Sequence, residues 1–140
     1  MGETVGVRLI KPEERREGQA TPGMRREEAI ATDRMWAGLV VTAPGMVSGW
    51  HHHGDYETAI CVLTGAFRME FGPGGGEALE AGPRDFLFVE PGAIHRESNP
   101  SAEDGTAVIV RSGSGEPVFN VDGPPPRRDA GGRSSRRAPR

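Results

Sequence analysis

A chain of 140 residues has room for one domain of ordinary size, and that length can bury a core without disulfides or a structural zinc cluster. Hydrophobic residues make up only 35%, while 21 Gly and 12 Pro together approach a quarter of the positions, so part of the chain is turn or irregular. The net charge of −3 conceals an asymmetry: residues 123–140 hold six Arg against one Asp, a balance of +5 that leaves −8 on the rest, and so acidic a body argues against a nucleic-acid partner.

The first residues, MGETVGVRLIKPEERRE, contain no uninterrupted apolar stretch of signal-peptide length, and nothing approaches the ~20 apolar residues of a membrane span. The expectation is a cytoplasmic protein with no membrane partner. Residues 1–29 read as an N-terminal arm, since Lys11 to Glu28 is charged and carries no large apolar side chain beyond Met24. The folded domain is expected over 30–122. Within it, short runs with strand chemistry follow one another: WAGLVVTA (36–43), TAICVLT (58–64), AFRMEF (66–71), DFLFVE (85–90), TAVIVR (106–111) and PVFNV (117–121). Turn residues separate them at the spacing of an all-β sandwich or barrel. Residues 123–140 have no apolar side chain larger than Ala apart from proline and read as a disordered basic tail. No repeat of solenoid or propeller length is visible.

The runs at 58–64 and 85–90 are apolar at odd and even positions alike, so both of their faces should be covered, one by the interior and the other by the arm or a second subunit. A homodimer is therefore expected. Met69, Phe86, Phe88, Ile60 and Val62 are candidates for the interior wall, and Cys61, the single cysteine, reads as a buried inert thiol.

The chemistry is concentrated in PGMVSGWHHHGDYETAICVLTG (44–65) and PGAIHRESN (91–99). On an extended chain His51 and His53 project from the same face while His52 projects from the other, so two imidazoles can address one point. A closed sheet can bring His95 to the same point. Three of the four histidines thus stand where metal ligands would.

Gly45, His51, His53, Glu57 and Gly65 resemble the first motif of the cupin superfamily, and Gly92, His95 and Asn99 resemble the second. The resemblance covers about 39–110. It implies a double-stranded β-helix, or jelly roll, with one divalent ion held by His51, His53 and His95 and, in the family pattern, a carboxylate. There are departures. Six residues before Gly65 stands Thr58, with Glu57 one place earlier, so whether Glu57 or Thr58 faces the metal is open. Arg84 stands where the second motif begins with Gly, and Glu90 where it has Pro. A site of imidazoles with at most one carboxylate suits Fe, Zn, Mn or Ni. The second ring nitrogens would find Glu97, Asp55 or a backbone carbonyl. Glu57, Tyr56 and Arg96 are the candidate catalytic residues, with Arg68 and Asn99 able to orient a substrate. The resemblance implies a metal-dependent enzyme acting on a small organic molecule, by dioxygenase-like or Lewis-acid chemistry; the latter spans isomerase, lyase and rearrangement reactions, zinc-dependent N–N bond formation included. The alternative is a non-catalytic module that binds a metal or ligand.

Overall fold

The computed structural model describes residues 5–113 and 118–126, and among them there is no α-helix. Eleven strands follow in chain order: β1 (Arg16–Glu17), β2 (Arg25–Ala31), β3 (Met35–Thr42), β4 (His51–His52), β5 (Glu57–Thr64), β6 (Phe67–Phe71), β7 (Glu77–Ala81), β8 (Phe86–Val89), β9 (His95–Ser98), β10 (Gly105–Ser112) and β11 (Phe119–Asn120). They form two antiparallel sheets, ordered β1-β2-β3-β10-β5-β8 and β11-β4-β9-β6-β7. This is the double-stranded β-helix expected from the sequence. Among the described residues no helix is long and apolar enough to cross a membrane.

The pleat decides what lies between the sheets. In β3 the inward positions are Trp36, Gly38, Val40 and Thr42; in β5 they are Thr58, Ile60 and Val62; in β10 they are Gly105, Ala107, Ile109 and Arg111. From the second sheet Phe67 and Met69 meet them, and Ala81 and Val89 close the cluster. Fully burying one of the larger members is worth about 1.5–3 kcal/mol, so this apolar half of the interior carries most of the stability. The other half is polar. Arg26, His51, His53, Thr58, His95, Glu97, Asn99 and Arg111 are all buried.

Several expectations need correction. The boundary at residue 30 cuts through β2, which begins at Arg25 and pairs with β3 along most of its length. Its sequence, RREEAIA, hides its strand character because the strand sends a guanidinium, Arg26, into the interior. Its approach to β3 is close: a Cβ at Gly38 would run into the backbone oxygen of Glu27. The expected wall divides as well. Ile60, Val62 and Met69 are buried, but Phe86 and Phe88 are 75% and 62% exposed, because β8 is an edge strand and both rings project from its outer face. Cys61 is half-buried on that outer face rather than in the core. Of the tail expected over 123–140, residues 127–140 lie outside the described residues, as does part of the run expected at 117–121.

One departure in the second motif has a conformational signature. Arg84 has φ 76° and is the one non-glycine residue at positive φ among the described residues. The turn before β8 requires the left-handed conformation that the motif's glycine supplies without cost, and an arginine adopts it here under strain.

Candidate metal centre

The three histidines come together through sheet register. His51 in β4 and His95 in β9 are direct cross-strand partners. His53 follows β4 at the start of a turn, which is tied to the second motif by a hydrogen bond from the Gly92 amide to the Gly54 carbonyl at 2.8 Å. The ring centroids of His51 and His95 lie 4.4 Å apart, with His53 at 5.2 Å from the first and 5.1 Å from the second. One nitrogen from each ring lies within 4.8 Å of the others, and all three residues are buried. His52 projects the other way and stacks on Phe119, with centroids 5.0 Å apart.

The backbone sets the orientation of two rings. His51 Nδ1 lies 3.0 Å from the Gly49 carbonyl and His95 Nδ1 lies 2.9 Å from the Ala93 carbonyl. A carbonyl can only accept, so each Nδ1 carries the proton and each Nε2 presents a lone pair. Both Nε2 atoms are buried and have no hydrogen-bond partner among the described residues. The second ring nitrogens thus use backbone carbonyls, one of the options the sequence offered.

Glu97 stands on the metal side instead. It lies two residues after His95 on the same inward face of β9. Its Oε2 is 3.3 Å from His95 Nε2 and 3.9 Å from His51 Nε2. Ser48 fixes its backbone from both directions, the Ser48 amide donating to the Glu97 carbonyl at 2.8 Å and the Glu97 amide donating to Ser48 Oγ at 2.9 Å. Burial would raise the Glu97 pKa, but its neighbours His95, His51 and the Arg26 guanidinium outweigh it and hold the carboxyl well below the usual range. His51 is pushed down to about 4, chiefly by burial, and is neutral at physiological pH. A carboxylate oxygen facing two imidazole lone pairs is repulsive unless a cation lies between them. Ligands at ~2.0–2.2 Å from one ion stand roughly 3–3.4 Å apart, so the His95–Glu97 separation suits two ligands of a shared divalent metal. The residues present therefore fit one.

The other sequence candidates fall differently. Glu57 is exposed, since the alternation of β5 turns Thr58 inward and Glu57 to solvent. Arg96 alternates out of the interior between His95 and Glu97; its Nε donates to Glu70 Oε1 and its guanidinium lies 4.6 Å over the Trp50 ring. Both project away from the interior where the histidines lie. Tyr56 is buried beside the site, its ring flanking Gly113. Arg68 pairs with Glu70 and Glu80 on the outside. Asn99 is a brace: its amide donates to the carbonyls of Thr42 and Glu103 and its oxygen accepts from Ser101.

The sequence reading passed over Glu97 as a ligand, although the two-residue rule that pairs His51 with His53 pairs His95 with Glu97 equally well. It also passed over Arg26 and Arg111. The inward position of Arg111 was signalled only by parity with Ala107 and Ile109 in β10, a run apolar on both faces, and that of Arg26 by nothing in RREEAIA.

The cupin-domain family model matches residues 38–111, more than half of the chain, and spans both histidine motifs. This chain is a cupin. No curated protein sequence matches it. Among solved structures, this cupin resembles the polyketide cyclase RemF from Streptomyces resistomycificus, with a TM-score of 0.68 and 19% identity over 83% of this chain and 86% of that one. It also resembles KdgF from Halomonas sp., with a TM-score of 0.64 and 21% identity over 77% and 96% of the two chains. A third is an uncharacterized conserved protein with a double-stranded β-helix domain from Klebsiella pneumoniae, with a TM-score of 0.66 and 19% identity over 82% and 97%. At these identities the likeness is one of fold.

Proposed function

We propose that this cupin is a metal-dependent enzyme that acts on a small organic molecule and holds one divalent ion, Fe, Zn, Mn or Ni, at His51, His53 and His95 with Glu97 as a fourth ligand. The observation that carries the reading is the pair of buried, unpartnered Nε2 lone pairs of His51 and His95, turned toward each other and toward a buried carboxylate. A bound ion would polarise a substrate oxygen as a Lewis acid or, if it is redox-active, support chemistry with O2. Of these two, Lewis-acid chemistry has the better support in the chain's own residues. Glu97 Oε1 is buried and unpartnered among the described residues, an ionised oxygen open to a hydrogen bond from a substrate group beside the ion. The two backbone-held imidazoles fix the orientation of the site, and the apolar half of the interior excludes water. The cyclase activity named for the RemF neighbour is in keeping with this class of reaction.

Elemental mass spectrometry of the untagged protein and of the His51→Ala and His95→Ala variants tests the reading. Near one equivalent of metal in the wild type, lost in both variants, is the expected result. Zn would favour Lewis-acid or rearrangement chemistry; Fe, Mn or Ni would favour oxygenase chemistry. A wild type that takes up none of the four, after exposure to each, would leave a ligand-binding module as the better account.

We also propose a homodimer. The outer face of β8 and its neighbour β5 carries Phe86, Phe88 and Leu63, all exposed, and in the N-terminal segment Val5, Val7 and Leu9 are exposed as well. So much unburied apolar surface on one chain suits a second copy. Light scattering should give twice the chain mass, and Phe86→Ser with Phe88→Ser should give the monomer.

A further inference from the structure

The polar half of the interior holds a group that metal binding does not use. Arg111, near the end of β10, is 1% exposed, yet none of its three guanidinium nitrogens has a hydrogen-bond partner among the described residues. Its flat face is accounted for: the guanidinium lies 4.7 Å over the Trp36 ring, and Trp36 is held in turn by a 2.9 Å hydrogen bond from its Nε1 to Glu28. Stacking fixes the plane of the group and leaves its N–H edge unused. Directly across the ladder from Arg111 stands Thr58, also buried, with its hydroxyl unpartnered. Arg26 is near enough for its charge to bear on Arg111. Its Nη1 donates to Thr21 Oγ1 at 2.6 Å and to the Gln19 carbonyl at 3.1 Å, while its Nε is unpartnered.

Charge makes the same point. Arg26, Arg111 and Glu97 are the buried Arg and Glu side chains among the described residues, two cations against one anion before any metal is added. A divalent ion widens the excess. Buried guanidiniums are retained where an anion meets them. Burial and the neighbouring Arg26 push the Arg111 pKa down to about 9, with Glu97 and Tyr56 opposing, so the group is still charged at neutral pH.

We infer that Arg111, with the Thr58 hydroxyl beside it, is the anchor for a carboxylate group of the substrate, held across the barrel from the histidines. The inference rests on the enzyme reading above and names its substrate class: small organic acids. A planar N–H edge fixed by stacking matches the two coplanar oxygens of a carboxylate. Arginine also pairs with phosphate, but one planar edge serves two oxygens, which a carboxylate fills and a phosphate exceeds.

The test uses the full chain stripped of metal with a chelator, so that its outcome is independent of metal binding. Arginine Nε–H resonances are followed by NMR in the wild type during titration with sodium acetate, inorganic phosphate or acetamide. Acetate should shift the Arg111 resonance saturably, phosphate should bind more weakly, and neutral acetamide should have no effect. Arg111→Met should weaken acetate binding by about tenfold or more, the loss of one charge-assisted bidentate contact. Should that variant fail to fold, Thr58→Val should weaken acetate by roughly threefold with the Arg111 signal still present. An Arg111 resonance unmoved by acetate, tighter binding of phosphate than of acetate, or acetate bound equally well by Arg111→Met or by Thr58→Val would each overturn the assignment. Loss of metal binding with the acetate response intact would instead overturn the enzyme reading and spare the anion site.

Discussion

The two sheets of this barrel face each other with opposite chemistry. From the five-stranded sheet come His51, His95 and Glu97, donors of lone pairs and one negative charge. From the six-stranded sheet come Arg26 and Arg111, donors of N–H groups and two positive charges. One wall accepts a cation and the other an anion. A molecule carrying both a metal-binding oxygen and a carboxylate would span the gap, so the division teaches more about the substrate than either wall alone.

The largest effect that can break this comparison is on the histidine wall. His51→Ala or His95→Ala should take metal content from near one equivalent to near zero while circular dichroism retains the β-sheet spectrum. A fully loaded His95→Ala protein would move the metal site elsewhere. Glu97→Gln comes next, because it keeps the shape and removes the charge. Metal affinity should fall by roughly 10–100-fold, comparable to the loss of a supporting contact at a metal site. The metal-free variant should also be destabilised, by about 1–3 kcal/mol in chemical denaturation, since both guanidiniums lose their one buried counter-charge. Unchanged metal affinity would remove Glu97 from the ligand set.

How much of this division was legible in the sequence depends on the length scale of each signal. Histidines two residues apart at the head of a strand are a local pattern, and six of the strands announced themselves through runs of β-branched and aromatic residues. The histidine wall could therefore be read almost completely. The arginine wall could not. Arg26 and Arg111 are separated by most of the domain, and an arginine in a strand reads as a solvent-facing residue until the register is known. In β10, Thr106, Val108 and Val110 are nearly as apolar as Ala107 and Ile109, so the pattern does not reveal which parity faces inward. Glu57 entered through the first motif, with Thr58 as its alternative, and one residue of pleat turns Thr58 inward and Glu57 to solvent. β2 and β9 were missed because their inward residues are polar, Arg26 in one and His95 and Glu97 in the other.

Arg111→Met sharpens the comparison from the other side. A residue kept for packing should be missed when it is replaced, and a residue kept for binding should not. Removing an unpartnered buried charge should leave the metal-free protein unchanged or more stable by up to about 1 kcal/mol, with metal content unaffected. The pH dependence has a definite sign. The folded pKa of Arg111 lies below its unfolded value, so the charged form costs the fold stability throughout the range below about 9, and that cost should be relieved as pH rises from there toward the unfolded value. The advantage of Arg111→Met in denaturation midpoint should accordingly narrow above pH 9. A large loss of stability at neutral pH would make Arg111 a structural member of the core.

The smallest effect concerns strain outside both walls. Arg84 holds positive φ at an exposed turn that leads into β8, and β8 pairs with β5, the strand carrying Thr58. Arg84→Gly relieves the clash of a Cβ with its own backbone, offset in part by the greater entropy of glycine in the unfolded chain, for a net gain of about 1 kcal/mol. Thermal denaturation would show a small upward shift. Because the residue touches neither the histidines nor the guanidiniums, metal content and acetate affinity should both stay at their wild-type values. A change in acetate affinity alone would mean that the strained turn helps to set the position of Thr58 through the β5–β8 ladder, and the anion wall would then extend to the edge of its sheet.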